Sequence, residues 1–201
     1  MIIGKWNKSV ILTYLGLLCS VCGIILALNG VNTKYVLVLL MSAGICDLFD
    51  GAVARKIKRD SEEKKFGIQI DSLVDVINFL VFPVIYLYSV VGFSVVFMIC
   101  AFLFILFGIV RLAYFNIKAD EDKPVKYYQG LPVTYSAMIF PFAFALKFII
   151  PTIFEYVLMG IMFLTSILFI LNIPVRKPGK IAYIVFFVLY IAMFITFLIV
   201  L

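Results

Sequence analysis

Apolar residues dominate this chain in long blocks, at 9–29, 34–54, 68–90, 92–115, 132–150, 153–172 and 181–200. A helix needs roughly 20 such residues to cross a hydrocarbon core of about 30 Å, so each block is long enough for a membrane span. The pattern predicts an all-α integral membrane protein of seven helices, forming a single domain over residues 1–201. No internal repeat or low-complexity linker interrupts it. The longest polar segments, 55–66 and 116–130, are where water-soluble molecules could be met.

Composition agrees with the blocks. Hydrophobic residues make up 65% of the chain and charged residues 14%, too few charges to cover a water-soluble surface. The first block follows Lys5 and Lys8 as a secretory signal would, but it is long, lacks a small-x-small cleavage site and precedes six more spans, so it reads as a retained helix. Cys19, Cys22, Cys46 and Cys100 all lie inside apolar blocks, and no histidine or second pair completes a zinc site around Cys19 and Cys22. They read as buried, inert thiols.

The basic residues set an orientation. With the N-terminus cytoplasmic, the inner segments hold Lys5, Lys8, Arg55, Lys56, Lys58, Arg59, Lys64, Lys65, Lys118, Lys123, Lys126, Arg176, Lys177 and Lys180. The outer segments hold Lys34 and Lys147, which is the asymmetry of the positive-inside rule, and the C-terminus then lies outside. The net charge of +6 is thereby a property of one membrane face, suited to anionic headgroups and phosphorylated substrates and calling for no nucleic acid.

Against this background the acidic residues are misplaced. Asp47 and Asp50 stand three apart near the inner end of the second block, and Asp71 and Asp75 stand four apart at the start of the third. Each pair shares a helix face. With helices starting where the blocks do, Asp71 and Asp75 fall in the first two turns of the third helix, and the two pairs face each other across one hairpin. Carboxylates crowded at a bilayer edge repel unless cations neutralise them. All-oxygen ligands favour Mg2+, Mn2+ or Ca2+, and a charge of about minus four matches two divalent ions, a device for displacement at phosphorus. Isolated intramembrane acids also serve as proton relays or caps, but two pairs at this spacing fit a metal cluster better. Gly51, Ala54 and Gly67 on neighbouring turns allow close approach, and the chemistry leaves Arg55 either a phosphate ligand or an interface marker.

The run Asp47-x2-Asp50-Gly51-x2-Ala54-Arg55, continued by Gly67-x3-Asp71-x3-Asp75, resembles the signature of the CDP-alcohol phosphotransferase family, with all eight signature residues present. The spacer of eleven residues between Arg55 and Gly67 is longer than usual there. The stretches FGIQIDSLVD at 66–75, RLAYFN at 111–116 and YYQGLPVTYSAMIFP at 127–141 are similar to the membrane-integral phosphatidylserine synthases of that family. ILTYLG at 11–16 looks like a worn form of its first-helix motif, and the sixth and seventh helices add little to the likeness.

The resemblance implies a six-helix core around a polar cavity open to the cytoplasm, a seventh helix added to it, and a homodimer in the cell membrane. It implies transfer of a phosphatidyl group from CDP-diacylglycerol to L-serine with release of CMP. Asp47, Asp50, Asp71 and Asp75 would hold the divalent ions, and Asp75 would also act as general base. Gly51, Ala54 and Gly67 would line the cytidine pocket, with Arg55 and Thr13 beside them.

Serine carries a carboxylate, for which Arg111 is the natural partner: an arginine inside an apolar helix is costly, and its fork matches a carboxylate in two hydrogen bonds. Snorkelling to the headgroups or binding a lipid phosphate are its other roles. Asn116, Tyr128 and Gln129 are the remaining candidates for serine or phosphate contact. Asn78, one turn beyond Asp75, either supports the site or bonds another helix, and Gly130, Leu131 and Pro132 end the loop and start the fifth helix. Within the family, a different acceptor such as glycerol 3-phosphate or inositol phosphate would ask for further buried cations, whereas an ether-lipid donor would leave no mark on the sequence. A cation or proton transporter would instead scatter its acids over several helices near the bilayer centre.

Overall fold

The computed structural model describes residues 4, 7–119, 127–176 and 180–200. Helix α1, Ile11–Leu28, follows a single 3-10 turn at Lys8–Val10, and α2 spans Thr33–Ala54. Asn7 and Asn32 cap these starts, their side chains accepting from the backbone N–H of Ser9 at 3.1 Å and Lys34 at 3.0 Å. Helix α3 is one run of 31 residues, Ser61–Val91, and α4 spans Val95–Ala119. Helix α5, Val133–Phe148, is short and tightens to 3-10 geometry at both ends. Helices α6, Phe154–Ile170, and α7, Lys180–Val200, complete the set.

Seven helices therefore stand where the apolar blocks predicted them, and five meet the length and hydropathy expected of a membrane span among the described residues. This is a multi-pass, all-α membrane protein. Lys5, Lys123, Lys126 and Lys177 of the charge count lie outside the described residues.

Helix α3 differs from expectation at its start. It begins at Ser61, not near 68, because Asp60 and Glu63 form a capping box: Asp60 accepts from the Glu63 N–H at 2.7 Å and Glu63 accepts from the Asp60 N–H at 3.0 Å. The polar segment 55–66 is thus a short turn followed by a charged helical extension. Asp71 lies roughly 15 Å along the helix and Asp75 beyond it, so neither falls in the first two turns.

Directly after Asp75 the same helix widens to π geometry over Val76–Val81, the Phe82 N–H bonding back to the Ile77 carbonyl. Pro83, which brings no N–H and crowds the carbonyl four residues earlier, supplies the cause.

The ends of the helices are tied together. Strands β1, Tyr127–Gln129, and β2, Pro174–Arg176, pair antiparallel with Tyr128 opposite Val175. The loop before α5 and the loop after α6 are therefore on one side of the molecule, as the charge pattern required. Gly130 follows β1 at φ +75°, where a side chain would strike the Phe169 carbonyl.

Between helices, hydrocarbon solvent supplies no hydrophobic drive, so close van der Waals contact must do the holding. Small residues provide it. A Cβ at Gly23 on α1 would run into the Phe82 ring, one at Gly108 on α4 into Leu80, and one at Gly44 on α2 would stand 2.7 Å from the Ala137 Cβ on α5. Phe104, Phe140 and Phe169 knit α4, α5 and α6, with ring centroids 5.7 and 5.2 Å apart from Phe104.

The Gly23 contact is testable. Gly23→Ala overpacks a site where such changes typically cost about 1–3 kcal/mol, so it is expected to lower the thermal midpoint of the purified protein in detergent. Phe82→Leu in the same chain should recover part of that loss. A double variant whose effect is the plain sum of the two would show that ring and glycine do not meet.

Candidate active site

The inner ends of α2 and α3 run antiparallel, and their aspartates meet in cross-helix pairs. Asp47 faces Asp75 and Asp50 faces Asp71, each within hydrogen-bond reach. Carboxylate oxygens of Asp47, Asp71 and Asp75 lie within 4.8 Å of one another. Neighbours orient them: Thr13 on α1 donates to Asp50 Oδ2 at 3.0 Å, and the Thr134 hydroxyl at the start of α5 bonds Asp47.

The donor set fits a hard divalent cation. It is carboxylate oxygen throughout, three ligands converge, and buried like charges are costly without a cation among them. Asp50, held against Asp71, extends the cluster beyond these three ligands.

A cavity of about 350 Å³ opens beside the cluster. Its polar wall carries all four aspartates with Arg55, Ser72, Arg111, Asn116 and Tyr128, while Met41, Ile45, Leu48, Met138 and Phe187 give it an apolar side. Arg111 is 8% exposed, its guanidinium lies over the Phe115 ring at 5.2 Å, and its Nε has no hydrogen-bond partner. The side chain is thus buried on the cavity wall. Asn116 is fixed by a reciprocal pair with Ser72, donating at 2.8 Å and accepting at 3.0 Å. Tyr128 packs on Phe115 with ring centroids 5.6 Å apart.

A second cleft of about 220 Å³ adjoins the first and shares Asp50, Gly51, Arg55 and Asp71 with it. Thr13, Ala54 and Gly67 line it too, so every residue predicted for the cytidine pocket meets in one place. Gly51 and Gly67 contrast with Gly23 and Gly108. A Cβ at Gly51 would find only Arg55 Nη1 at 3.6 Å, and one at Gly67 only Arg59 Nη1 at 3.4 Å. Helix packing does not require glycine there, and both positions border the cleft.

Two candidates stand apart from the cavities. Gln129 is exposed and accepts from the Tyr114 hydroxyl, outside the cavity wall. Asn78 is buried in the π segment beside Gly16 of α1, a Cβ there standing 3.2 Å from its Nδ2, and its Oδ1 has no partner. It fills an interhelical contact and does not line either cavity.

The sequence reasoning missed Ser72, Thr134, Tyr135, Phe187 and Tyr190. Ser72 was within reach, since it sits between the aspartates in DSLVD. Nothing in the last apolar block marked Phe187 and Tyr190 as cavity residues, yet α7 packs on α2 through the Phe49–Phe187 edge contact at 5.9 Å and a Tyr190 hydroxyl bond to Ser42 at 3.3 Å.

The sequence profile described as CDP-alcohol phosphatidyltransferase matches residues 6–201. The chain belongs to that family. It is 39% identical over 103 residues to a CDP-diacylglycerol–serine O-phosphatidyltransferase of Helicobacter pylori, a match covering 50% of this chain and 42% of the relative. It is 37% identical over 126 residues to the archaetidylserine synthase of Methanothermobacter thermautotrophicus, covering 62% and 49%. A Saccharomyces cerevisiae CDP-diacylglycerol–serine O-phosphatidyltransferase is 36% identical over 114 residues, covering 52% and 40%. The chain spans about half the length of these curated relatives. The eight motif residues sit together at one end of the bundle, where they line two adjoining cavities.

Cation binding follows from the cluster. Mn2+ titrated into the purified protein is expected to bind, with Asp71→Asn or Asp75→Asn weakening it roughly tenfold or more. Equal affinity in the wild type and both variants would mean that the aspartates are not the cation site.

Proposed function

We propose that this chain transfers the phosphatidyl group of CDP-diacylglycerol to the hydroxyl of L-serine, giving phosphatidylserine and CMP. The observation that carries the reading is the larger cavity, where four aspartates and a buried arginine face an apolar wall. That combination suits a substrate with a charged headgroup and lipid tails meeting a small zwitterion. Serine is also common to the names of the relatives, which differ in the lipid group, archaetidyl in one and phosphatidyl in the others. The tail chemistry, ester or ether, is left open by that difference.

Asp47, Asp50, Asp71 and Asp75 would hold divalent ions, Mg2+ or Mn2+ with Ca2+ also compatible, which when bound neutralise the pyrophosphate and favour CMP as leaving group. Around them the side chains divide the work. Arg111 takes the serine carboxylate in a two-point fork, for which its unpartnered Nε is available. Asn116, locked by Ser72, and Tyr128 line the acceptor's side of the cavity.

Asp75 removes the hydroxyl proton as the serine oxygen forms its bond to the lipid-side phosphorus, and the bond from that phosphorus to the CMP oxygen breaks. Thr13 and Thr134, bonded to Asp50 and Asp47, keep the carboxylates aimed. Gly51, Ala54, Arg55 and Gly67 hold the cytidine half in the second cleft. Gln129, held outside by Tyr114, positions the strand that carries Tyr128.

The basic residues of the inner segments support a cytoplasmic N-terminus and active site in the cell membrane, with the C-terminus outside. A homodimer is part of the same reading. An acceptor with its own phosphate fits less well, because Arg55 and Arg111 are the cations lining the larger cavity among the described residues, and Arg55 is shared with the donor's cleft. A transport path is disfavoured by the gathering of all four acids on α2 and α3 alone.

The test is acceptor-dependent CMP release. Purified protein given CDP-diacylglycerol and a divalent ion should release CMP with serine far faster than with glycerol 3-phosphate or inositol phosphate. Faster release with either phosphate would overturn the acceptor. Arg111→Lys keeps the charge but loses the fork, so half-saturating serine should rise roughly tenfold or more. The CDP-diacylglycerol curve should hold, and an unchanged serine curve would remove Arg111 from the acceptor site.

A further inference from the structure

Two buried hydrogen-bonding atoms in the second cleft are unused by the site so far described. Ser9, in the 3-10 turn before α1, is 3% exposed and lines the cleft, yet its Oγ has no partner. Arg59 lines it too, and its Nε is also buried and without a partner. Neither belongs to the eight motif positions, and Arg59 lies in the long spacer between Arg55 and Gly67.

Its position is nevertheless well determined. The turn after α2 is closed by Lys56 N–H to Val53 at 3.0 Å and Ile57 N–H to Ala54 at 3.4 Å, and Arg59 immediately precedes the capping box at Asp60. Helix α3 then climbs two turns to Gly67, bringing Arg59 Nη1 to 3.4 Å from where a Gly67 Cβ would stand. The guanidinium is thus aimed across the space that Gly67 leaves open.

We propose that Arg59 and Ser9 bind the nucleotide half of the donor, donating hydrogen bonds to its acceptor atoms in the cleft beside Asp50 and Asp71. This rests on the reaction proposed above. A guanidinium only donates and a buried hydroxyl in the same cleft readily does so, hence the ligand must present acceptors. The cleft shares Asp50 and Asp71 with the larger cavity but none of Met41, Met138 or Phe187 from its apolar wall. With Ser9, Thr13, Arg55 and Arg59 on its wall beside Val10 and Ile68, it offers hydrogen-bond donors to the nucleotide half of a CDP-linked lipid. The acceptors are either phosphate oxygens or the carbonyl oxygen and ring nitrogen of cytosine, and both belong to CMP.

Calorimetric titration of the purified full-length protein in detergent, with divalent ion present, reads the contact directly. CMP is expected to bind the wild type, about tenfold or more weakly to Arg59→Ala and several-fold more weakly to Ser9→Ala. Half-saturating serine in the turnover assay should be unchanged in both, which separates loss of contact from loss of fold. Cytidine tells the sources apart: if its binding is also weakened by Arg59→Ala the contact is to the base, and if only CMP suffers it is to phosphate. Wild-type CMP affinity in Arg59→Ala would overturn the proposal while leaving the reaction standing. A wild type that neither binds CMP nor releases it would remove the reaction and this proposal together.

Discussion

Everything near the inner end of this bundle is arranged around carboxylates that repel one another. Asp47, Asp71 and Asp75 bring oxygens within 4.8 Å, at a depth where water screens poorly. Such a cluster does not assemble by itself; the helices must be forced into register by contacts elsewhere. The two threonine hydroxyls on Asp50 and Asp47 come from α1 and α5, so four of the seven helices converge on one group of charges.

The forcing contacts lie one to two turns away and are close packing against glycines. Pro83 and the π segment alter α3 just beyond Asp75, seating Asn78 against Gly16 of α1 and Phe82 against Gly23. A helix with regular geometry would rotate every residue after Asp75 by a fraction of a turn relative to the aspartates. The same helix would then lose either its fit to α1 or its aim at α2. The irregularity lets one helix satisfy both demands, which gives the π turn a physical reason beside the site.

Much of this was legible in the chain. The seven helices followed from apolar length, and the four aspartates stood out because a charge inside such a block needs a reason. Arg111 was legible on the same ground, and it proved to be buried and turned toward the cavity. What could not be read were matters of relative placement. The start of α3 was put near 68 because hydropathy marks where a helix enters the bilayer, not where it begins. Asp60 and Glu63 carried the missing signal at capping-box spacing. Gln129 shared a motif with Tyr128, but neighbours in a strand point to opposite faces, and only Tyr128 faces the cavity. The contribution of α7 was invisible, since Phe187 and Tyr190 are two aromatics in a block full of apolar residues.

The glycines show how far sequence and structure divide the argument. Gly23, Gly44, Gly51, Gly67 and Gly108 look alike in a helical sequence, where each costs about 1 kcal/mol relative to alanine. In the fold they separate into two kinds. Gly23, Gly44 and Gly108 face a ring, a methyl group and a leucine, and their cost is offset by helix contact. Gly51 and Gly67 face only the ends of flexible arginines. Helix packing does not offset their cost, and both line the second cleft, where a ligand would have room. Because Arg55 and Arg59 are those arginines, the space they border is one that a bound nucleotide would both fill and neutralise.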